Sequence, residues 1–213
     1  MNCDKRDLLL YAVTDRAWLR GRRLSSVVEE AIRGGVNMVQ LREKELSFDE
    51  FLEEAFEIGA LCRRHGIPFI VNDNVEIALR SGADGVHVGQ SDRTAEEVRA
   101  LIGKDKILGV SAGTVEAAVA AERAGADYLG VGAVFSTSTK TDADAVSVET
   151  LSAICRSVRI PVVAIGGIGK SNMKQLSGSG IAGVALVSAI FASQDIETET
   201  KKLAALAAET VEM

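Results

Sequence analysis

Short apolar runs alternate along the chain with longer segments whose apolar residues recur every three or four positions. The runs fall at residues 8–13, 36–41, 69–71, 85–88, 107–110, 128–131, 162–165 and 183–186. They are continuous rather than alternating, which is the pattern of strands covered on both faces. Helical spacing predicts helices over 25–33, 47–64, 75–80, 94–102, 115–124, 148–157, 172–176 and 195–209. In the first helix Val28, Ala31 and Ile32 share a face behind a serine cap, and Gly34-Gly35 ends it. In the second, Phe51, Leu52, Ala55, Phe56, Ile58, Gly59 and Leu61 form the apolar stripe, stopped by His65-Gly66-Ile67-Pro68.

Eight strand-then-helix units predict an α/β fold, a single-domain (β/α)8 TIM barrel over residues 1–213. An open doubly wound sheet is the alternative, but the first strand is not followed by G-x-G-x-x-G. Four junctions echo one another: Gly35-Val36-Asn37, Gly82-Ala83-Asp84, Gly125-Ala126-Asp127 and Gly180-Ile181-Ala182, each placed just before a strand. The glycine suits a helix C-cap and the short residues suit a tight turn. Their unequal spacing fits repeated units in one barrel, since a solenoid would keep a fixed period.

Composition narrows the classes. The length of 213 residues suits one barrel with a sizeable core. Aromatic residues are only 4% of the chain, so small aliphatic side chains should dominate the packing. A net charge of −6 argues against a general nucleic-acid or membrane-surface binder, leaving small molecules as partners and homo-oligomerisation open. Any anion site must therefore be a local concentration of positive charge. Cys3, Cys62 and Cys155 are odd in number and far apart, which predicts neither a disulfide framework nor a cysteine metal site and suits a reduced, cytoplasmic setting. No apolar signal core stands at the N-terminus, and no run approaches the ~18 apolar residues of a membrane span.

In a (β/α)8 barrel the carboxyl ends of the strands converge on one rim, so residues distant in sequence meet there. Collected in that way they are Gln40, Arg42, Lys44, Asn72, Asp73, Asp92, Ser111, the segment Thr137, Ser138, Thr139 and Lys140, then Gly167 and Ser188. Asp73 and Asp92 follow adjacent strands, and both could reach one hard cation, Mg2+ being the natural candidate when water and substrate phosphate complete the shell. They could equally cap the helices that follow. Arg42 and Lys44 lie two apart, so an extended chain aims both the same way and they could grip a diphosphate, or they could pair with Glu43 and Glu45.

The stretch 128–140, Tyr-Leu-Gly-Val-Gly-Ala-Val-Phe-Ser-Thr-Ser-Thr-Lys, is a buried strand that hands over to hydroxyls and a cation. Such a loop can bond phosphate oxygens, although a solvated turn uses the same residue types. Gly166-Gly167 and Val187-Ser188 end strands seven and eight, the usual phosphate site of this barrel. With 137–139 they suggest a second phosphate, apart from the one near Arg42. His87 lies inside a strand and reads as a packed, hydrogen-bonded interior histidine rather than a base, and His65 ends a helix where a cation suits the dipole. Neither a G-x-S-x-G elbow nor H-E-x-x-H is present, so the chemistry should rest on electrostatics and positioning.

The segments Tyr11-Ala-Val-Thr-Asp15, Val39-Gln-Leu-Arg-Glu-Lys44, Val71-Asn-Asp73, Gly85-Val-His-Val-Gly-Gln-Ser-Asp92, Gly109-Val-Ser111, Thr137-Ser-Thr-Lys140, Ala164-Ile-Gly-Gly-Ile168 and Val187-Ser188 together resemble the thiamine-phosphate synthase family. They span all eight units in order. The chain departs from the family pattern at Ala133, where proline is frequent, and at Gly113, where histidine is frequent. The resemblance implies a transferase that joins 4-amino-2-methyl-5-(diphosphooxymethyl)pyrimidine to a thiazole phosphate, releasing pyrophosphate through a pyrimidinyl carbocation. Carbon dioxide is lost as well when the thiazole carries a carboxylate. It implies that Gln40, Leu41, Arg42, Glu43, Lys44, Asn72, Ser111 and Lys140 hold the pyrimidine substrate, with Lys140, Arg42, Lys44 and Ser111 catalytic. Asp73 and Asp92 would bind Mg2+, while Thr137, Ser138, Thr139, Gly167, Val187 and Ser188 would hold the thiazole phosphate. A related thiazole tautomerase is the nearest enzyme alternative, disfavoured by Arg42, Lys44, Asp73, Asp92 and Gly113. A non-catalytic phosphosugar-binding barrel is an alternative of another class.

Overall fold

The computed structural model describes residues 3–89, 93–136 and 145–211. Eight parallel strands close into a barrel in sequence order: β1 Leu10–Val13, β2 Met38–Leu41, β3 Phe69–Asn72, β4 Gly85–Val88, β5 Ile107–Ser111, β6 Tyr128–Val131, β7 Val162–Ile165 and β8 Gly183–Leu186. β1 pairs with both β2 and β8, so the sheet has no edge. The helices between them are α1 Leu24–Arg33, α2 Phe48–His65, α3 Val75–Ser81, α4 Ala95–Ile102, α5 Val115–Arg123 and α6 Val148–Ser157, with α7 Ser188–Phe191 and α8 Ile196–Val211 after β8.

The continuous apolar runs have a double cause. Along each strand one set of residues turns inward, and Leu8, Tyr11, Val13, Met38, Ile70, Ile107, Tyr128, Val163 and Ala185 fill the barrel. Their neighbours, among them Ala12, Val39, Val71, Val86, Leu108, Leu129, Ala164 and Val184, face the helices in a second core. Most strand positions are therefore desolvated whichever way they point, the exceptions being Asn72, Ser111, Gly130 and Ile165.

The repeated junctions prove to be one device used four times. Gly35, Gly82, Gly125 and Gly180 all have positive φ, which glycine adopts without steric cost. The third residue of each then latches an odd-numbered strand. The amides of Asn37, Asp84, Asp127 and Ala182 donate to the carbonyls of Leu10, Phe69, Leu108 and Val162 at 2.7–2.9 Å. Asn37, Asp84 and Asp127 also accept, through their side chains, from the amides of Leu10, Phe69 and Leu108. Alanine at 182 leaves only the backbone half of the latch.

Three expectations are corrected. The helix predicted at 25–33 begins at Leu24 with Arg23 at its N-cap position, and no side chain caps it, so the serine cap is absent. The segment 172–176 is a 3-10 helix, Met173–Leu176, too short for a regular helix to propagate. The first strand starts at Leu10, because Lys5–Leu8 forms a 3-10 helix whose Leu8 plugs the amino end of the barrel. Elsewhere the caps follow their residues, as with Ser47 and Glu50, which form a reciprocal capping box at α2. Among the described residues no helix is long and apolar enough to cross a membrane.

Candidate active site

The end of β2 is built by its neighbour. Thr14, buried just after β1, donates its amide to the Gln40 carbonyl at 2.9 Å and accepts from the Arg42 amide through Oγ1 at 3.0 Å. This clamp ties the end of β2 to β1, and Arg42, Glu43, Lys44 and Glu45 line one cleft together with Asp15, Arg16 and Ala17. Leu41 is fully buried in the outer core, so only its backbone can serve the rim. Glu43 is paired within the protein: Arg16 bonds it at 3.1 Å and reaches Glu54 at 2.6 Å. Burial pushes both carboxyls above their ordinary pKa, with Arg16 opposing the shift in each. The alternative, a surface pairing of Arg42 and Lys44 with Glu43 or Glu45, is not formed. Arg42 instead stands 3.8 Å from Asp15, and Lys44 bonds Asp73 at 2.6 Å.

Asp73 is one of two non-glycine residues described with positive φ, at 60°. Its amide is held by the His87 carbonyl at 2.8 Å, while Asn74, not Asp73, caps α3 by accepting from the Ile77 amide. Helix capping therefore does not account for Asp73, and an outlying backbone maintained at a barrel rim is the kind of strain that functional sites store. Asn72, directly before it, is half-buried and lies opposite His87 across β3 and β4.

Below the rim, Ser111 at the end of β5 is bonded to His87, as expected of an interior histidine, and His87 to Tyr128. Gln40 is buried and bonds Tyr11. Neither tyrosine stood among the sequence candidates. Their sequence signal was that a chain with two tyrosines places both in predicted strands of a small-aliphatic core, with Tyr11 also opening the first of the family-like segments.

On the far side, residues 134–135 run alongside the end of β7, with the amides of Val134 and Phe135 donating to Ile165 and Gly166 at 3.0 Å. A Cβ at Gly167, whose φ is 63°, would stand 2.7 Å from the Phe135 carbonyl oxygen, and one at Gly166 would stand 2.6 Å from Ala133. The glycine pair thus admits the chain after β6, and residue 136 reaches Gly167 just before the hydroxyl-rich segment. Asn172, not among the sequence candidates, pins this turn by donating to the Gly167 carbonyl and accepting from the Gly169 amide, both at 2.8 Å. Ser188 opens α7 after Val187, and both are half-buried. Thr137, Ser138, Thr139, Lys140 and Asp92 lie outside the described residues.

Among the described residues no three His, Cys, Asp or Glu side chains cluster as a metal cage. Mg2+ requires less, since one or two carboxylates suffice when water and substrate phosphate supply the other oxygens. Asp73, a hard oxygen donor at the rim bonded to Lys44 of a cleft lined by both cations and carboxylates, fits that demand.

A closed parallel barrel that carries Arg42, Lys44, Asp73, Asn72 and Ser111 on its carboxyl-terminal side belongs to the class of (β/α)8 enzymes acting on anionic small molecules. A family model described as thiamine monophosphate synthase matches residues 10–190. Thiamine-phosphate synthase of Ruminiclostridium cellulolyticum is 54% identical over 199 residues, covering 93% of this chain and 95% of that protein. The Clostridium tetani enzyme of the same name is 51% identical over 197 residues, covering 92% and 94%. Among solved structures, thiamine phosphate pyrophosphorylase from Pyrococcus furiosus superposes with a TM-score of 0.89 at 37% identity, covering 97% of this chain and 98% of that one. The chain belongs to the thiamine monophosphate synthase family.

Proposed function

We propose that this chain is a thiamine-phosphate synthase, a transferase coupling the pyrimidine diphosphate to a thiazole phosphate with release of pyrophosphate. Besides the family, the 2.6 Å contact between Lys44 and Asp73 carries the reading. It sets a cation suited to a diphosphate against a carboxylate suited to a metal, at the ends of adjacent strands, so one diphosphate can meet both.

In this reading Gln40, Arg42, Lys44, Asn72, Ser111 and Lys140 hold the pyrimidine diphosphate, and the backbone of Leu41 and Glu43 supports them. Arg42 presents a planar fork and Lys44 a point charge, a complementary pair for the two phosphates. Asp73 and Asp92 would hold Mg2+, which supplies charge neutralisation on the diphosphate when bound. As the carbon–oxygen bond breaks, negative charge gathers on the leaving oxygen, and the cations of Arg42, Lys44 and Lys140 stabilise it more than they stabilise the ground state. Thr137, Ser138, Thr139, Gly167, Val187 and Ser188 hold the thiazole phosphate so that its ring nitrogen faces the pyrimidinyl carbocation. Positioning of two reactants supplies the rest. With a carboxythiazole, carbon dioxide departs after the new bond forms.

A coupling assay with both substrates, with and without Mg2+, tests the proposal. Magnesium-dependent thiamine monophosphate and pyrophosphate are expected. Isomerisation of the thiazole alone would mark a tautomerase, and phosphate binding without magnesium dependence or turnover would mark a non-catalytic barrel.

A further inference from the structure

Among the described residues that line the cleft after β2, the charges cancel: Arg16, Arg42 and Lys44 stand against Asp15, Glu43 and Glu45. A carboxylate and a phosphate compete for the same guanidinium and ammonium donors. A cleft balanced in this way therefore holds an anion well only if its carboxylates are engaged elsewhere. Asp15 accepts from the Ala17 amide at 2.9 Å, capping the 3-10 turn Arg16–Trp18, and its nearer approach to Arg42 stays at 3.8 Å. Glu45 is exposed, where an ion pair is worth little.

Glu43 is different. It lies between Arg42 and Lys44 in the chain and its side chain is only 3% exposed, so it needs a cation beside it. Arg16 supplies that cation. Its Nε donates to both Glu43 oxygens, at 3.1 and 3.2 Å, and its Nη2 donates to Oε1 of Glu54 at 2.6 Å. Arg16 comes from the turn after β1, Glu43 from the loop after β2 and Glu54 from α2, so one guanidinium joins three parts of the chain.

The guanidinium is outnumbered. Two carboxylates share one positive charge, and Oε2 of Glu54 is buried with no bond among the described residues. An ion pair built for stability alone would leave out the second carboxylate, because a buried acceptor without a donor is destabilising. What the arrangement does secure is an Arg16 fixed to a helix as well as to the loop it restrains. Without Arg16, Glu43 would be a buried carboxylate, and the cations left lining its cleft would be Arg42 and Lys44.

We propose that Arg16 is a positioning residue: by holding Glu43 it keeps that carboxylate from competing for Arg42 and Lys44, which are thereby left to the diphosphate of the pyrimidine substrate. This rests on the function proposed above. Its test is the affinity of the full-length protein for inorganic pyrophosphate with Mg2+, read by titration calorimetry, followed by coupling kinetics. Arg16→Ala should weaken pyrophosphate binding about tenfold, the scale of a lost bond to a charged group. Arg16→Ala combined with Glu43→Gln should recover most of that loss, because the competing charge is gone. In coupling, KM for the pyrimidine diphosphate should follow the same order while KM for the thiazole phosphate holds. Should Arg16→Ala not fold, Arg16→Gln, which keeps a donor toward Glu43 without the charge, takes its place in both comparisons. Parental pyrophosphate affinity in the single variant would overturn the proposal. So would a double variant that binds no better than the single one, since Arg16 would then only stitch the loops together. A parent protein that binds pyrophosphate but couples no substrates would refute the proposed function instead, and the ranking of the affinities would still decide the role of Arg16.

Discussion

Single residues at the rim do work that their neighbours do not share. Asp73 neither caps α3 nor lies in a comfortable backbone region, and its carboxylate meets Lys44. Asp73→Asn keeps a residue that tolerates positive φ and removes the charge. It should lower coupling on the order of a hundredfold and raise the Mg2+ concentration required, with the thermal midpoint little changed. Parental magnesium dependence in that variant would remove Asp73 from the metal site. Lys140 is assigned the developing charge on pyrophosphate, so Lys140→Ala should bind the pyrimidine diphosphate passably and turn over about a hundredfold more slowly, on the order of 3 kcal/mol of transition-state stabilisation. Single-turnover rates at saturating substrate decide it, because a parental bond-breaking rate would reduce Lys140 to a binding residue.

At the level of elements, the amino-terminal ends of the strands carry the stability devices. Arg99 of α4 gathers the Gly125, Gly103 and Lys106 carbonyls and the Asp127 carboxylate at 2.6–3.1 Å, while Asp127 itself latches the start of β5. Removing the guanidinium leaves partly buried acceptors without their donor. Arg99→Ala should therefore cost about 2–3 kcal/mol in urea unfolding with coupling kinetics unchanged, since this face is opposite the rim. A midpoint equal to the parent's would show the cluster to be ornamental. The elements themselves were legible from period alone: a buried strand and an amphipathic helix differ in how often an apolar residue must recur. Boundaries were less so. Val36 is apolar and buried but belongs to the turn before β2, because its neighbour Asn37 is drawn back to Leu10.

The whole molecule has two cores separated by the sheet, and the inner one contains both tyrosines among aliphatic side chains. Ile70 is fully buried in the inner core of the closed barrel. Ile70→Ala should cost on the order of 3 kcal/mol. Unfolding should remain one cooperative transition by fluorescence and circular dichroism alike, since no strand has a free edge from which to peel. Separate transitions would mean that the two cores unfold independently.

By itself the sequence determined the eight strand-and-helix units, the closed parallel barrel they imply, the glycine-led turns and the residues at the strand ends. Those follow from local periodicity, from glycine's access to positive φ, and from the rule that parallel strands converge at one rim. Only the tertiary structure decided which partners those residues take. It gave Arg16 rather than Arg42 to Glu43, put Lys44 on Asp73, passed the α3 cap to Asn74, and linked Gln40 to Ser111 through Tyr11, Tyr128 and His87. Such pairings depend on which inward-pointing side chains share a level of the barrel, and on where glycines such as Gly109 and Gly130 leave space. Strand register, set by the closure of the whole sheet, decides both.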